Sequence, residues 1–196
     1  MLEQVLILIS VTALMLGAPG PAPVALAATG VTYGLKKGIP LLLGQLTGLL
    51  LVILGSSLGL TRAINAYPQL DIVFHFLNAA YIFFIAYTII TAPIDTEPAS
   101  VYAPGYKVGI VLILVNPGVY ATFYAIFSQF LLPVSDTRLA FIVTAVTCWL
   151  VAALIDILWL SLGHTLKPLF TNSNQIRIAR IVFTLVMIVA VIFSMR

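Results

Sequence analysis

Residues 5–35 read VLILISVTALMLGAPGPAPVALAATGVTYGL, and residues 108–132 read VGIVLILVNPGVYATFYAIFSQFLL. Both are apolar runs, and each holds one internal break, Ala18-Pro19-Gly20-Pro21 in the first and Asn116-Pro117-Gly118 in the second. Proline lacks the N–H that a helix needs and its ring clashes with the preceding turn. Each break therefore frees backbone carbonyls and amides that lipid cannot satisfy, and these must face protein or a water-filled cavity. Around the two broken runs lie four more apolar stretches, residues 40–60, 72–92, 139–162 and 178–194. Each fits the about 20 helical residues that a hydrocarbon core about 30 Å thick requires. The first of these opens on Pro40, where a missing N–H is harmless, after a short basic corner, Lys36-Lys37-Gly38.

The composition agrees with six membrane spans. Of 196 residues 62% are hydrophobic and 8% charged, and mean hydropathy is +1.16; such a chain lacks the polar residues to clothe a soluble globule, which excludes a soluble enzyme. The one cysteine, Cys148, excludes an internal disulfide, a CxxC redox pair and a cysteine zinc site. The net charge of +3 has no basic run longer than Lys36-Lys37, so it reads as loop charge beside a lipid bilayer and not as a nucleic-acid surface. Residues 1–16 resemble a secretory signal in hydropathy, but Glu3 stands where a basic region belongs and Pro19 and Pro21 crowd the cleavage position. They read as the start of the first membrane helix.

The fold expected is all-α and integral to the membrane. A polar, proline-rich loop over residues 93–107 separates a first three-helix repeat, residues 1–92, from a second, residues 108–196. Three is odd, so the second copy enters the membrane inverted. Only the first helix of each half carries a Pro-Gly break, and interrupted segments at matching positions of two halves point to a transporter's binding site. With the N-terminus outside, inner segments hold Lys36, Lys37, Lys107, Lys167, Arg177 and Arg180, against Arg62, Arg138 and Arg196 outside; the positive-inside rule favours that orientation. Counting 1.5 Å per residue puts Pro19 and Asn116 within roughly 5 Å of one depth, so the two breaks can build one site.

A half-helix starting after a break presents amides and a positive dipole end suited to a carboxylate, while freed carbonyls and Asn116 can accept from an ammonium group. A zwitterion matches both. The competing reading of either break is a packing kink, since proline and glycine are common in membrane helices. Pro19, Gly20, Pro21, Asn116, Pro117 and Gly118 are the substrate-binding candidates, joined by Tyr120 and Tyr124, which follow the second break one turn apart and either line a cavity or bond between helices.

Asp156 is the acidic residue well inside a span, and burying it costs several kcal/mol unless it is paired, hydrated or protonated. It reads either as a proton acceptor that couples transport to the proton gradient, as a partner for a substrate ammonium, or as a carboxylate hydrogen-bonded within the bundle. His75 and Asn78 share a face of the third span and suit a polar helix contact better than a metal or proton relay. Gly30, Gly34 and Gly38, then Gly44 and Gly48, recur every four residues, a spacing that lets helices approach closely; the expected use is packing of the first two spans on each other. Gln45 and Thr47 leave both readings open.

The run Gly17-Ala18-Pro19-Gly20-Pro21 followed by Gly30, Gly34 and Gly38 resembles the PGP-type first motif of the LysE/RhtB amino-acid exporters, usually PGPN and then glycines four apart. Leu77-Asn78-Ala79-Ala80-Tyr81-Ile82 is similar to their GAAYL element, and Gly109 through Asn116-Pro117-Gly118 to Gln129-Phe130 to their fourth-helix pattern of glycine, NPK and QF. The matches fall in the family's order along essentially the whole chain. Ala22, Gly118 and Asn78 depart from it, standing where the family has asparagine, lysine and glycine. The resemblance implies an inner-membrane exporter of amino acids or related small metabolites, exchanging them for protons and often dimeric, so a homodimer is an expected assembly.

Two other readings compete. Metal-ion export, known among relatives in the same superfamily, wants His, Cys or several intramembrane carboxylates, and the chain offers His75, His164, Cys148 and Asp156. An intramembrane enzyme or a noncatalytic partner subunit is the reading from a different class; no HExxH, no GxSxG and no close carboxylate pair supports the enzyme, and a scaffold leaves the matched breaks unexplained. No motif implies a cofactor.

Overall fold

The computed structural model describes residues 2–57, 68–91, 103–169 and 173–194. Among the described residues all regular structure is helical: α1 Leu2–Gly17, α2 Pro21–Tyr33, α3 Leu35–Ser57, α4 Pro68–Ile90, α5 Tyr106–Leu114, α6 Pro117–Gln129, α7 Thr137–Leu166 and α8 Ser173–Ser194, with a 3-10 turn at Lys167–Leu169. Four helical stretches are long and apolar enough to cross a membrane, Leu35–Ser56, Ile72–Ile90, Thr137–Leu169 and Asn174–Ile192. The pairs α1/α2 and α5/α6 meet that test jointly and are bent at their junctions by 67° and 63°. Large apolar side chains such as Phe76, Phe83, Leu154 and Leu158 are more than half exposed, which suits a surface bathed in lipid.

The junctions fall at the sequence breaks for local reasons. Gly20 holds an extended backbone before α2, and Pro21 opens the helix, where its fixed φ suits the first turn. Asn116 does the same before α6, its side chain accepting from the Gly118 N–H at 3.0 Å, with Pro117 next. At the head of α7, Asp136 Oδ1 accepts from the N–H groups of Arg138 at 2.7 Å and Leu139 at 3.2 Å.

Between α2 and α3 the corner is a single residue. Gly34 has φ +82, a left-handed conformation that glycine adopts without steric cost, and its N–H closes α2 on the Gly30 carbonyl at 3.0 Å. The expected basic corner at Lys36-Lys37-Gly38 is thereby corrected: these residues form the first turn of α3, and Pro40 lies inside that helix. The connecting loop over residues 93–107 lies outside the described residues up to residue 102, as do residues 58–60 at the end of the second expected span, Arg62 and Arg196.

The glycines pack helices that are distant in sequence. A Cβ on Gly30 would overlap the Leu160 carbonyl of α7, and one on Gly163 would overlap the Ala27 carbonyl of α2. In the same way Gly44 meets the Tyr106 carbonyl and Gly109 the Leu41 carbonyl, drawing α3 onto α5. The expectation that these glycines join the first two spans is therefore corrected, because a four-residue stripe states how near a helix comes and not which one. Polar tethers cross the same bundle: Trp149 Nε1 donates to the Leu46 carbonyl at 3.0 Å, Tyr33 Oη to that of Thr88 at 3.3 Å, and Tyr81 Oη to that of Val108 at 3.2 Å.

Candidate functional site: a cavity at the two helix breaks

A cavity of about 550 Å³ opens where the breaks meet. Pro19, Gly20 and Pro21 line it from the first break, Asn116 and Gly118 from the second, and Asp156 from α7. Gln45 reaches it from α3, and Ala152 joins Asp156 one turn away on the same face of α7. Pro117 sits between two lining residues as the first residue of α6.

Tyr120 and Tyr124 stand elsewhere. Tyr120 Oη donates to the Leu114 carbonyl at 2.9 Å, its ring 5.6 Å from that of Phe74. It thus satisfies an acceptor that the second break leaves without its helical partner. Tyr124, one turn on, is 46% exposed and is absent from the cavity wall. His75 is half-buried, and Asn78 is fully buried with neither amide atom partnered among the described residues.

The breaks differ in how they satisfy their backbone. At the second, the Gly118 N–H goes to Asn116 Oδ1, the Val119 N–H to the Asn116 carbonyl at 3.2 Å, and the Val115 N–H to the Val111 carbonyl at 3.0 Å. Pro117 has no N–H, so no amide of the first α6 turn is free. At the first break, Pro21 and Pro23 carry no N–H and the Val24 N–H goes to the Gly20 carbonyl at 3.1 Å, leaving only the Ala22 amide in that turn. The expectation of two amide-rich half-helix ends is corrected: among the described residues the first break keeps the Gly20 and Ala22 amides, because proline and the asparagine cap consume the others.

Gln45 is the residue the sequence left open and the structure brings forward. It is 0% exposed, its Nε2 donates to the Ala22 carbonyl at 3.2 Å, and its Oε1 has no partner. Asp156 has no hydrogen bond or ion pair among the described residues. The reading in which the bundle holds its carboxylate by hydrogen bonding finds no partner there. No three His, Cys, Asp or Glu side chains come together among the described residues.

Apolar helices of membrane-spanning length, broken in pairs around a cavity, have the architecture of a membrane transporter. The sequence model of the LysE type translocator family matches residues 13–195, and the chain belongs to that family. It is 29% identical over 148 residues to an uncharacterized membrane protein of Pseudomonas aeruginosa, covering 69% of this chain and 68% of that one. It is 24% identical over 152 residues to a cysteine/O-acetylserine efflux protein of Klebsiella pneumoniae, covering 78% of each. No solved structure matches the chain.

Proposed function

We propose that this protein is a secondary active exporter of an amino acid or related small zwitterionic metabolite, driven by exchange for protons across the inner membrane. One observation carries the reading: a single cavity gathers both helix breaks and the intramembrane carboxylate of Asp156. The efflux role in the name of the Klebsiella relative supports the substrate class. Each bent pair is read as one interrupted span, giving six spans with the N-terminus outside. The three-span halves are read as inverted repeats, each carrying its break in its first span.

In this mechanism Asp156 takes a proton from the outer side and releases it inward, while the cavity passes substrate the other way. Alternating exposure comes from one repeat rocking against the other about the fixed site. Asn116→Ser keeps an oxygen to cap Gly118 while removing the side-chain amide, and Pro117→Ala relaxes the break. Both should lower export of O-acetylserine from cells by about tenfold, equivalent to about 1.4 kcal/mol, with unchanged amounts of folded protein. Normal export by both variants would contradict a site at the breaks.

A further inference from the structure

We infer that the cavity selects the ammonium end of its substrate and offers the carboxylate end no cationic partner, so that small amines with an apolar body bind as well as amino acids do. This rests on the transport reading of the cavity and adds the chemistry of its selection.

The acceptors come first. Gln45 is fully buried, and its contact with the Ala22 carbonyl fixes which way its amide faces, because a carbonyl oxygen takes only an N–H. Its Oε1 is therefore the atom left without a partner, in a residue of the cavity wall. That oxygen is itself buried, so an incoming N–H donor reaches it when the side chain shifts toward the cavity, and the contact then recovers the free energy an unpartnered acceptor costs. Asp156 adds an unpaired carboxyl to the same wall. Two side-chain acceptors, one of them a carboxylate, match the several N–H groups of one ammonium. They are too few for a hard divalent cation such as Ca2+ or Mg2+, which takes about six oxygens or more.

Donors are scarce. No Lys, Arg or His lines the cavity. The amides of Gly118 and Val119 at the head of α6 are engaged, and the head of α2 keeps the Gly20 and Ala22 N–H groups, which carry no formal charge. A substrate carboxylate would enter a low-dielectric space that already holds one carboxyl and no cation, an unfavourable place for a second negative charge. Much of the remaining wall is apolar, including Leu16, Leu49, Ile113, Val119 and Val186, which suits an alkyl body.

The test is calorimetric titration of the purified, detergent-solubilised protein with four compounds of one alkyl body: L-leucine, L-leucinamide, 3-methylbutylamine and 4-methylpentanoate. L-leucinamide and 3-methylbutylamine should bind at least as tightly as L-leucine, and 4-methylpentanoate at least about tenfold more weakly. Gln45→Leu should weaken the three amines by about tenfold; if that variant does not fold, the wild-type series decides alone. Ala152→Phe, which fills the cavity, should abolish all binding. If binding needs the intact cavity but L-leucinamide and 3-methylbutylamine fall about tenfold or more behind L-leucine, ammonium-end selection is overturned and the transport reading stands. If the amines bind equally well to Ala152→Phe, the cavity itself is not the site. Failure of both amines to bind wild-type protein also overturns the inference.

Discussion

Asp156→Asn should abolish export driven by a proton gradient while leaving a folded protein that still exchanges substrate across the membrane with a raised KM. The argument starts from cost, since an intramembrane carboxyl is expensive unless something in the protein uses it. Asp156 has no hydrogen-bond or ion-pair partner among the described residues and lies on the cavity wall with both breaks. Asparagine keeps the shape and the acceptor oxygen but cannot carry a proton across the membrane, and its lost charge weakens attraction for an ammonium. Proteoliposomes with an imposed pH gradient, loaded with labelled O-acetylserine, separate the two effects. Gradient dependence equal to wild type would return Asp156 to a structural role.

The second large effect is on the fold. Gly163→Leu should prevent accumulation of monodisperse protein, because even a Cβ at Gly163 would overlap the Ala27 carbonyl across the α2/α7 seam. Adding atoms to a well-packed interface typically costs about 1–3 kcal/mol and sometimes more, and here the obstacle is backbone, which cannot rotate aside. The same seam sets how far Asp156, two turns before Gly163 on α7, stands from the start of α2. Leu162→Ala, at a position 49% exposed, is the control and should have little effect. Size-exclusion profiles of both variants in detergent decide the matter: a normal peak for Gly163→Leu would show that the seam can open.

Much of this architecture could be read before any coordinates, because proline and glycine act on the chain locally. Pro21 and Pro117 have no N–H wherever they stand, so the helix boundaries at α2 and α6 follow from those residues alone. That Pro19 and Asn116 line one cavity is a tertiary fact, which the local breaks alone do not dictate. Partners were not legible either. The stripes at Gly30 and Gly44 announce close approach, but α7 and α5 as their targets are tertiary facts.

The site shows the same division. Residues acting through backbone constraint were visible, whereas Tyr120 reads equally as a cavity wall or as a hydrogen-bond donor until the Leu114 carbonyl is seen beneath it. Gln45 did carry a signal, an amide within a span of leucine and glycine, where an unsatisfied polar group is costly. What could not be read is that its nitrogen is occupied and its oxygen free. The amide accounting at the breaks was hidden similarly, since Asn116 can either face a substrate or cap its own helix, and its Oδ1 does the latter.

The central claim is that both breaks and Asp156 enclose one space that substrate crosses. Its most direct test is thiol labelling at position 152, which lines that cavity beside Asp156. Cys148 is the one native cysteine, so Cys148→Ala with Ala152→Cys gives a single reporter in a clean background. Reaction with a small, membrane-impermeant methanethiosulfonate, applied from each side of oriented vesicles, should reach it, and O-acetylserine should slow the reaction. A thiol at position 152 that stays unreactive from both sides, or reacts at a rate O-acetylserine leaves unchanged, would contradict the account.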